Sequence, residues 1–208
     1  MLDQLSGLAN AFQRRMQSTT GPFWDRRTLS NVGRSGSFVF IHIPKTGGTS
    51  MGKCLGLRKT THATASEWRE QLGLDYSNLY SFAFVRNPWD RFLSLYLYAR
   101  MEESYHHSSI RLRRKRYGKH PDYETLRDAS IETAAFLLLE GKLSFLWLPQ
   151  CRWICDPSGK IICNFVGRLE SVRTDWAHVA AKINAPGTLS HKNIANPNRI
   201  AYREKINA

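Results

Sequence analysis

Negative charge is scarce in this sequence. Its 17 Asp+Glu stand against 30 Lys+Arg, for a formal net charge of +13. Such a field attracts polyanions, nucleotides or acidic membranes without saying which. Long apolar runs are absent: nothing approaches the roughly 20 residues of a membrane span. The first residues, MLDQLSGLANAFQRRMQ, lack a basic-then-apolar signal architecture, so the expectation is a cytoplasmic chain without a leader. Cysteine is sparse too. Cys54, Cys151, Cys155 and Cys163 do not form two C-x-x-C knuckles, which argues against a structural zinc site, and no other metal-ligand cluster is legible. Cys155 and Cys163 flank DPSGKII, where a hairpin would bring them face to face; in a cytoplasm they are expected to be reduced. There is no internal repeat.

What is present is enough for one domain with a real core. The chain has 208 residues, 42% of them apolar and 12% aromatic, which excludes a disordered composition. Residues 1–36 read as a polar lead-in ending in NVGRSGS, and 37–208 as a single domain. SFVFIHI (Ser37 to Ile43) and LYSFAFV (Leu79 to Val85) are short, apolar and partly β-branched or aromatic, as buried strands are. KIICNFVG (Lys160 to Gly167) carries a third strand, and WIC-DPSGK-IIC reads as a hairpin. Helices are predicted from MGKCLG, from Ala63 to a Gly73 stop, over NPWDRFLSLYLYARM with Asn87 as cap, over SIETAAFLLLEG from a Ser cap, and over SVRTDWAHVAAKIN. A basic, irregular stretch runs to about Asp128. Six of its basic residues lie in RLRRKRYGK (Arg111 to Lys119); it reads first as a solvated loop or helix face, and second as a landing strip for an anionic acceptor. Strands alternating with helices predict an α/β fold: a central, mainly parallel sheet flanked by helices.

Two constellations carry chemistry. In FIHIPKTGGTS a buried strand ends, a glycine loop turns and a helix begins. Backbone N–H groups at a helix start bind phosphate. Gly47 and Gly48 allow close approach, Thr46, Thr49 and Ser50 add hydroxyls, and Lys45 adds a mobile cation. In FAFVRNPWDRFLSLY, Arg86 sits where a strand ends, and Ser94 lies about two helical turns past the cap Asn87, on the same side of the helix. An arginine fork and a hydroxyl on one face suit a second phosphate. Each motif alone has a bland alternative, a glycine turn with a surface lysine or an Arg–Asp pair with a buried serine. Together they ask for a ligand with two separated phosphates. A rival pattern overlaps the first: Gly47 to Cys54 nearly fits the G-x-x-x-x-G-K-[ST] nucleoside-triphosphate loop of kinases and NTPases. Cys54 stands where the magnesium-binding hydroxyl belongs, Lys53 would fall inside the helix, and the second strand ends in Arg86 where a magnesium-holding Asp would be expected.

With both motifs in this order, the chain resembles the sulfotransferases that use 3′-phosphoadenosine 5′-phosphosulfate (PAPS). PKTGGTS is similar to their 5′-phosphosulfate loop and RNPWDRFLSLY to their 3′-phosphate motif. The closest likeness is to the carbohydrate O-sulfotransferase branch that includes the heparan sulfate uronyl enzymes and small bacterial members, from about Phe38 to about Arg203. The resemblance implies that this P-loop-like fold takes PAPS as co-substrate and needs no metal. It places Lys45 at the bridging oxygen of the leaving group, Thr46, Gly47, Gly48, Thr49 and Ser50 around the 5′-phosphate, and Arg86 with Ser94 on the 3′-phosphate. LSHKNIANPNR resembles the family's basic closing loop, with Lys192 and Asn193 as nucleotide contacts and Arg199 as a further candidate. Arg168 and Glu170, in FVGRLE, are structural on this reading.

The reaction also needs a base for the acceptor proton, and histidine titrates near neutrality. Of seven histidines, His62 matches the branch's base by position. His42 reads as a satisfied strand residue, His106 and His107 as acceptor contacts at most, and His191 as runner-up. The implied chemistry is in-line transfer of a sulfuryl group to the hydroxyl of a sugar or small natural product, with release of adenosine 3′,5′-bisphosphate. Gln150, Trp147 and Trp153 are candidates for lining the acceptor pocket, although aromatics are more often core. Nucleic acid is not an expected partner; a basic nucleic-acid-binding module is the rival of a different class. Relatives usually continue into an aromatic and acidic helix where this chain stops at YREKINA. The expectation is either a compact member or a homo-oligomer in which a neighbour covers the exposed surface.

Overall fold

A computed structural model describes residues 28–33, 36–57, 60–101 and 120–189. The sequence readings on residues 1–27, on His106, His107 and Arg111 to Lys119, and on His191, Lys192, Asn193 and Arg199 lie outside the described residues. The chain divides into two compact units, Met1–Arg86 with Gln150–Pro197, and Asn87–Pro149 with Asn198–Ala208. Among the described residues no helix is long and apolar enough to cross a membrane.

The first unit is built on a three-stranded parallel sheet, β1 (Phe38–Ile41), β2 (Tyr80–Val85) and β3 (Phe165–Arg168), in that spatial order. The predicted α/β architecture with a parallel sheet is what the chain adopts. Register runs from Phe38 opposite Tyr80 and from Phe82 opposite Phe165. Side chains alternate across a strand, so Phe38, Phe40, Phe82 and Phe84 share one face. They pack with Trp176, Val179 and Ile183 of α7 (Val172–Ile183) and with Met51 of α1 (Gly48–Cys54). Val39, Ile41 and Ala83, on the other face, are also fully buried. A parallel sheet covered on both faces explains why its strands read as continuous apolar runs. α2 (Ala65–Leu72) starts in a reciprocal capping box between Thr64 and Glu67, ends at Gly73, and packs against α6 (Gln150–Ile154).

Two readings change here. The third strand begins at Phe165 rather than Lys160, because the preceding residue, Asn164, turns its side chain onto β2: its Oδ1 accepts from the Ser81 N–H at 2.7 Å and from the Ser81 hydroxyl at 2.8 Å. The hairpin shrinks to a single antiparallel bridge, Cys155 to Ile161, because its first arm is helical: Trp153 and Ile154 are buried within α6. Asp156 Oδ1 shapes the remaining turn by accepting from the Ser158 and Lys160 N–H groups. All four cysteines are free thiols. The end of the lead-in also differs from a polar tail. A 3-10 turn at Thr28–Asn31 is followed by Val32, which bridges to Val39, and Asn31 and Val32 are buried.

The second unit is helical. α3 (Pro88–Ala99) has the predicted cap, with Asn87 Oδ1 accepting from the Trp89 and Asp90 N–H groups. α4 (Tyr123–Leu126) interrupts the stretch predicted to be irregular, and α5 (Ile131–Leu139) starts at Ser130 as expected. Leu95, Tyr96, Ala99, Leu126, Ala134, Leu146 and Trp147 form its core. Its polar hub is the buried carboxylate of Asp122, which accepts from Ser144 N–H (2.9 Å), Ser144 Oγ–H (2.7 Å) and Trp147 Nε1–H (2.9 Å). Trp147 is therefore committed to this core. Asp122→Ala would leave the Trp147 Nε1–H buried without this acceptor and the half-buried Ser144 donors without theirs, and is expected to lower unfolding free energy by about 3 kcal/mol, measured by urea denaturation followed through tryptophan fluorescence.

Candidate functional site

Parallel strands bring their carboxyl ends to one edge of the sheet, where α/β folds bind ligands. The loop leaving β1, residues 42–47, occupies that edge. Its backbone is unusual at two points: Lys45 has φ 66° and Gly47 has φ 85°. Glycine suits the second position. A lysine in the left-handed region costs energy that its surroundings must hold in place. Gly47 caps α1 with no side-chain hydrogen bond, and its carbonyl accepts from the N–H groups of Ser50 and Met51. The first-turn donors of α1 are thus left without a capping side chain. The Thr46 hydroxyl differs from its predicted use as a ligand donor. It is buried and donates to the Ile43 carbonyl at 3.0 Å, so it shapes the loop.

Arg86 follows directly on β2 and is buried. Gln150 brackets its backbone from both sides: Oε1 accepts from the Arg86 N–H at 2.8 Å and Nε2 donates to the Arg86 carbonyl at 2.7 Å. That use of Gln150 replaces its predicted place in an acceptor pocket. The Arg86 Nη1 donates to the Lys45 carbonyl at 3.3 Å, while its Nε–H is buried with no hydrogen-bond partner among the described residues. A buried, unpartnered guanidinium donor is costly in a finished structure. It fits a site completed by an anion. Beside it, burial lowers the Lys45 pKa from its ordinary value to about 8. The sheet therefore brings Lys45, the glycine loop and Arg86 together. Ser94 lies half-buried on α3 in the second unit.

The rival lysine is placed differently. Lys53 is exposed in the last turn of α1. The glycine before it serves packing, since a Cβ on Gly52 would lie 3.0 Å from Thr60 Cγ2. Among the described residues no group of three His, Cys, Asp or Glu is arranged to hold a metal ion.

On the other side of the loop, two imidazoles meet. His62 Nδ1 lies 2.7 Å from the His42 carbonyl, and the two rings are 4.3 Å apart. A carbonyl can only accept, so Nδ1 carries the hydrogen and the neutral His62 ring keeps its lone pair on Nε2. His42 is one residue past β1 rather than inside it, and it is buried. Burial first, and the nearby His62 second, hold its pKa well below the usual histidine range, so its ring is neutral. Trp153 stands edge-on to His62 at 6.2 Å. Asn31, which no motif or periodicity marks in the sequence, ties the segment just before His62 to β1. Its Nδ2 donates to the carbonyls of Phe40 (2.8 Å) and Thr61 (2.9 Å), and its Oδ1 accepts from the Thr61 N–H (2.7 Å).

A family model described as "Sulfotransferase family" matches residues 31–205. No curated protein matches the chain, and no solved structure does.

The tightest steric demand of the site is at Gly48, where a Cβ would lie 1.9 Å from Cδ2 and 2.1 Å from Nε2 of His42. Gly48→Ala must displace that ring. It is expected to cost about 2 kcal/mol of stability and to weaken phosphate binding, measured by urea denaturation and by calorimetric titration with inorganic phosphate.

Proposed function

The chain belongs to the sulfotransferase family, and we propose that it transfers a sulfuryl group from PAPS to a hydroxyl of a sugar or small metabolite, with His62 as the base. The observation that carries the donor half is the buried, unpartnered Nε–H of Arg86 beside a glycine loop that holds Lys45. An anionic guest would supply the missing acceptor. The resemblance adds Ser94, Lys192 and Asn193 to the nucleotide's contacts, and the loop from Thr46 to Ser50, the Thr46 hydroxyl excepted, to its 5′-phosphate.

PAPS brings an activated sulfuryl group on a phosphate leaving group; the protein's part is placement and charge. Lys45, half-buried, offers a cation whose attraction is little screened, at the position where negative charge builds on the departing phosphate oxygen. The Arg86 guanidinium offers the 3′-phosphate an N–H already desolvated and oriented by the Lys45 carbonyl. His62 presents the Nε2 lone pair to the acceptor hydroxyl, because its Nδ1–H is held by the His42 carbonyl. On taking the proton it becomes an imidazolium that keeps this bond. A sugar acceptor follows the likeness to the carbohydrate branch.

The test is incubation with labelled PAPS and a panel of sugars and small hydroxylated metabolites, read as the mass gain of one sulfuryl group. His62→Ala is expected to lose at least roughly 100-fold in turnover while keeping its affinity for adenosine 3′,5′-bisphosphate. Arg86→Ala should lose that affinity by at least roughly tenfold. Wild-type turnover in His62→Ala would eliminate the base, and wild-type affinity in Arg86→Ala would eliminate the phosphate contact.

The Lys45 pKa of about 8 also sets a pH dependence. The charged form binds the anion, and in the free protein it is lost as pH rises through about 8. Affinity for adenosine 3′,5′-bisphosphate should fall above that pH, and the fall should be absent in Lys45→Met; calorimetry across pH 6.5 to 9.5, roughly either side of that value, measures both.

A further inference from the structure

Gly48 and Gly52 lie four residues apart on α1, hence on one face of it. Each is filled by a different side chain. The His42 imidazole occupies the space a Cβ would need at Gly48, and Thr60 Cγ2 lies 3.0 Å from the Cβ position at Gly52. These two side chains are bonded to each other, with Thr60 Oγ1 2.6 Å from His42 Nδ1. His42 also faces the other way: its ring lies 4.3 Å from that of His62, and its carbonyl takes the His62 Nδ1–H at 2.7 Å. The helix that follows the donor loop is therefore linked to the acceptor-side histidine through one bonded pair, His42 with Thr60.

We propose that His42 and Thr60 are positioning residues for sulfuryl transfer, a buried strut that fixes the His62 ring and its tautomer relative to the Lys45 loop. The proposal rests on the reading of His62 as the base. Packing alone does not ask for this pair, since apolar side chains would fill the glycine face of α1 without burying a hydroxyl and an imidazole. The bond to Thr60 holds the His42 ring against rotation, and the His42 ring in turn borders the His62 ring. A neutral His42 does this without setting a second positive charge beside His62 when that residue takes up a proton. Asn31 holds the residue between Thr60 and His62 by bonding both polar groups of the Thr61 backbone.

The experiment compares Thr60→Val, which keeps the shape and removes the hydroxyl, with Thr60→Ser, which keeps the hydroxyl. Steady-state kinetics give kcat and the donor KM, and nitrogen-15 NMR of the resting protein gives the His62 tautomer. Thr60→Val is expected to lower kcat roughly tenfold with the donor KM unchanged, and to convert His62 from the single Nδ1–H tautomer to a mixture; Thr60→Ser should restore both. If Thr60→Val does not fold, His42→Phe, which keeps an aromatic ring but cannot bond Thr60, carries the same two readouts and the same expectation. A wild-type tautomer and wild-type kcat in the variant overturn the strut, as does failure of Thr60→Ser to rescue. Should His62→Gln keep full turnover, the base reading falls, yet the tautomer change in Thr60→Val still reports the strut on its own.

Discussion

The guanidinium of Arg86 is the group on which the site's geometry depends. It is buried at the end of the middle strand, where a charge is expensive unless it is held and used. Gln150 fixes its backbone on both sides, and one of its nitrogens holds the carbonyl of Lys45. That bond reaches a residue whose own backbone is in the left-handed region. The strained lysine and the buried arginine are therefore set by a common constraint: parallel pairing of β1 with β2 places both strand ends at one edge.

Glycine serves two separate purposes in α1 and the loop before it. Gly47 takes a backbone angle that the turn into the helix requires. Gly48 and Gly52 are needed for lack of a side chain, so that His42 and Thr60 can lie against the helix. The second purpose accounts for the near-match to a nucleoside-triphosphate loop. The glycine and lysine of that pattern occur at Gly52 and Lys53, but one is a packing surface and the other an exposed helical residue. Spacing alone cannot separate these cases, because one string of letters describes both.

The helical unit shows how a polar hub can stay hidden in a basic, irregular-looking stretch. Asp122 lies in that stretch with no motif around it, yet three donors from residues 144 and 147 converge on it. Those partners are more than 20 residues away in sequence, and nothing local to Asp122 announces them. Trp147 takes the core role that aromatics more often have, and Gln150 is occupied by a backbone partner, for the same reason. Each is held by a partner distant along the chain, Asp122 for one and Arg86 for the other.

Local chemistry was legible in the sequence wherever the physics is local. Apolar runs marked the strands of a sheet buried on both faces. Asn87 and Ser130 marked helix starts because a cap acts within three residues of itself. The loop from Lys45 to Ser50 stood out because its glycines, hydroxyls and cation are contiguous. Tertiary structure decided what needed two distant segments to meet. It gave the unpartnered Arg86 nitrogen, the low pKa that burial imposes on Lys45, the loop-bound Thr46 hydroxyl, and the tautomer of His62 set by the carbonyl of a residue 20 positions earlier. Asn31 belongs with these: it bonds the Phe40 carbonyl on β1 and both polar groups of the Thr61 backbone beside His62, segments that become neighbours only when the chain has folded.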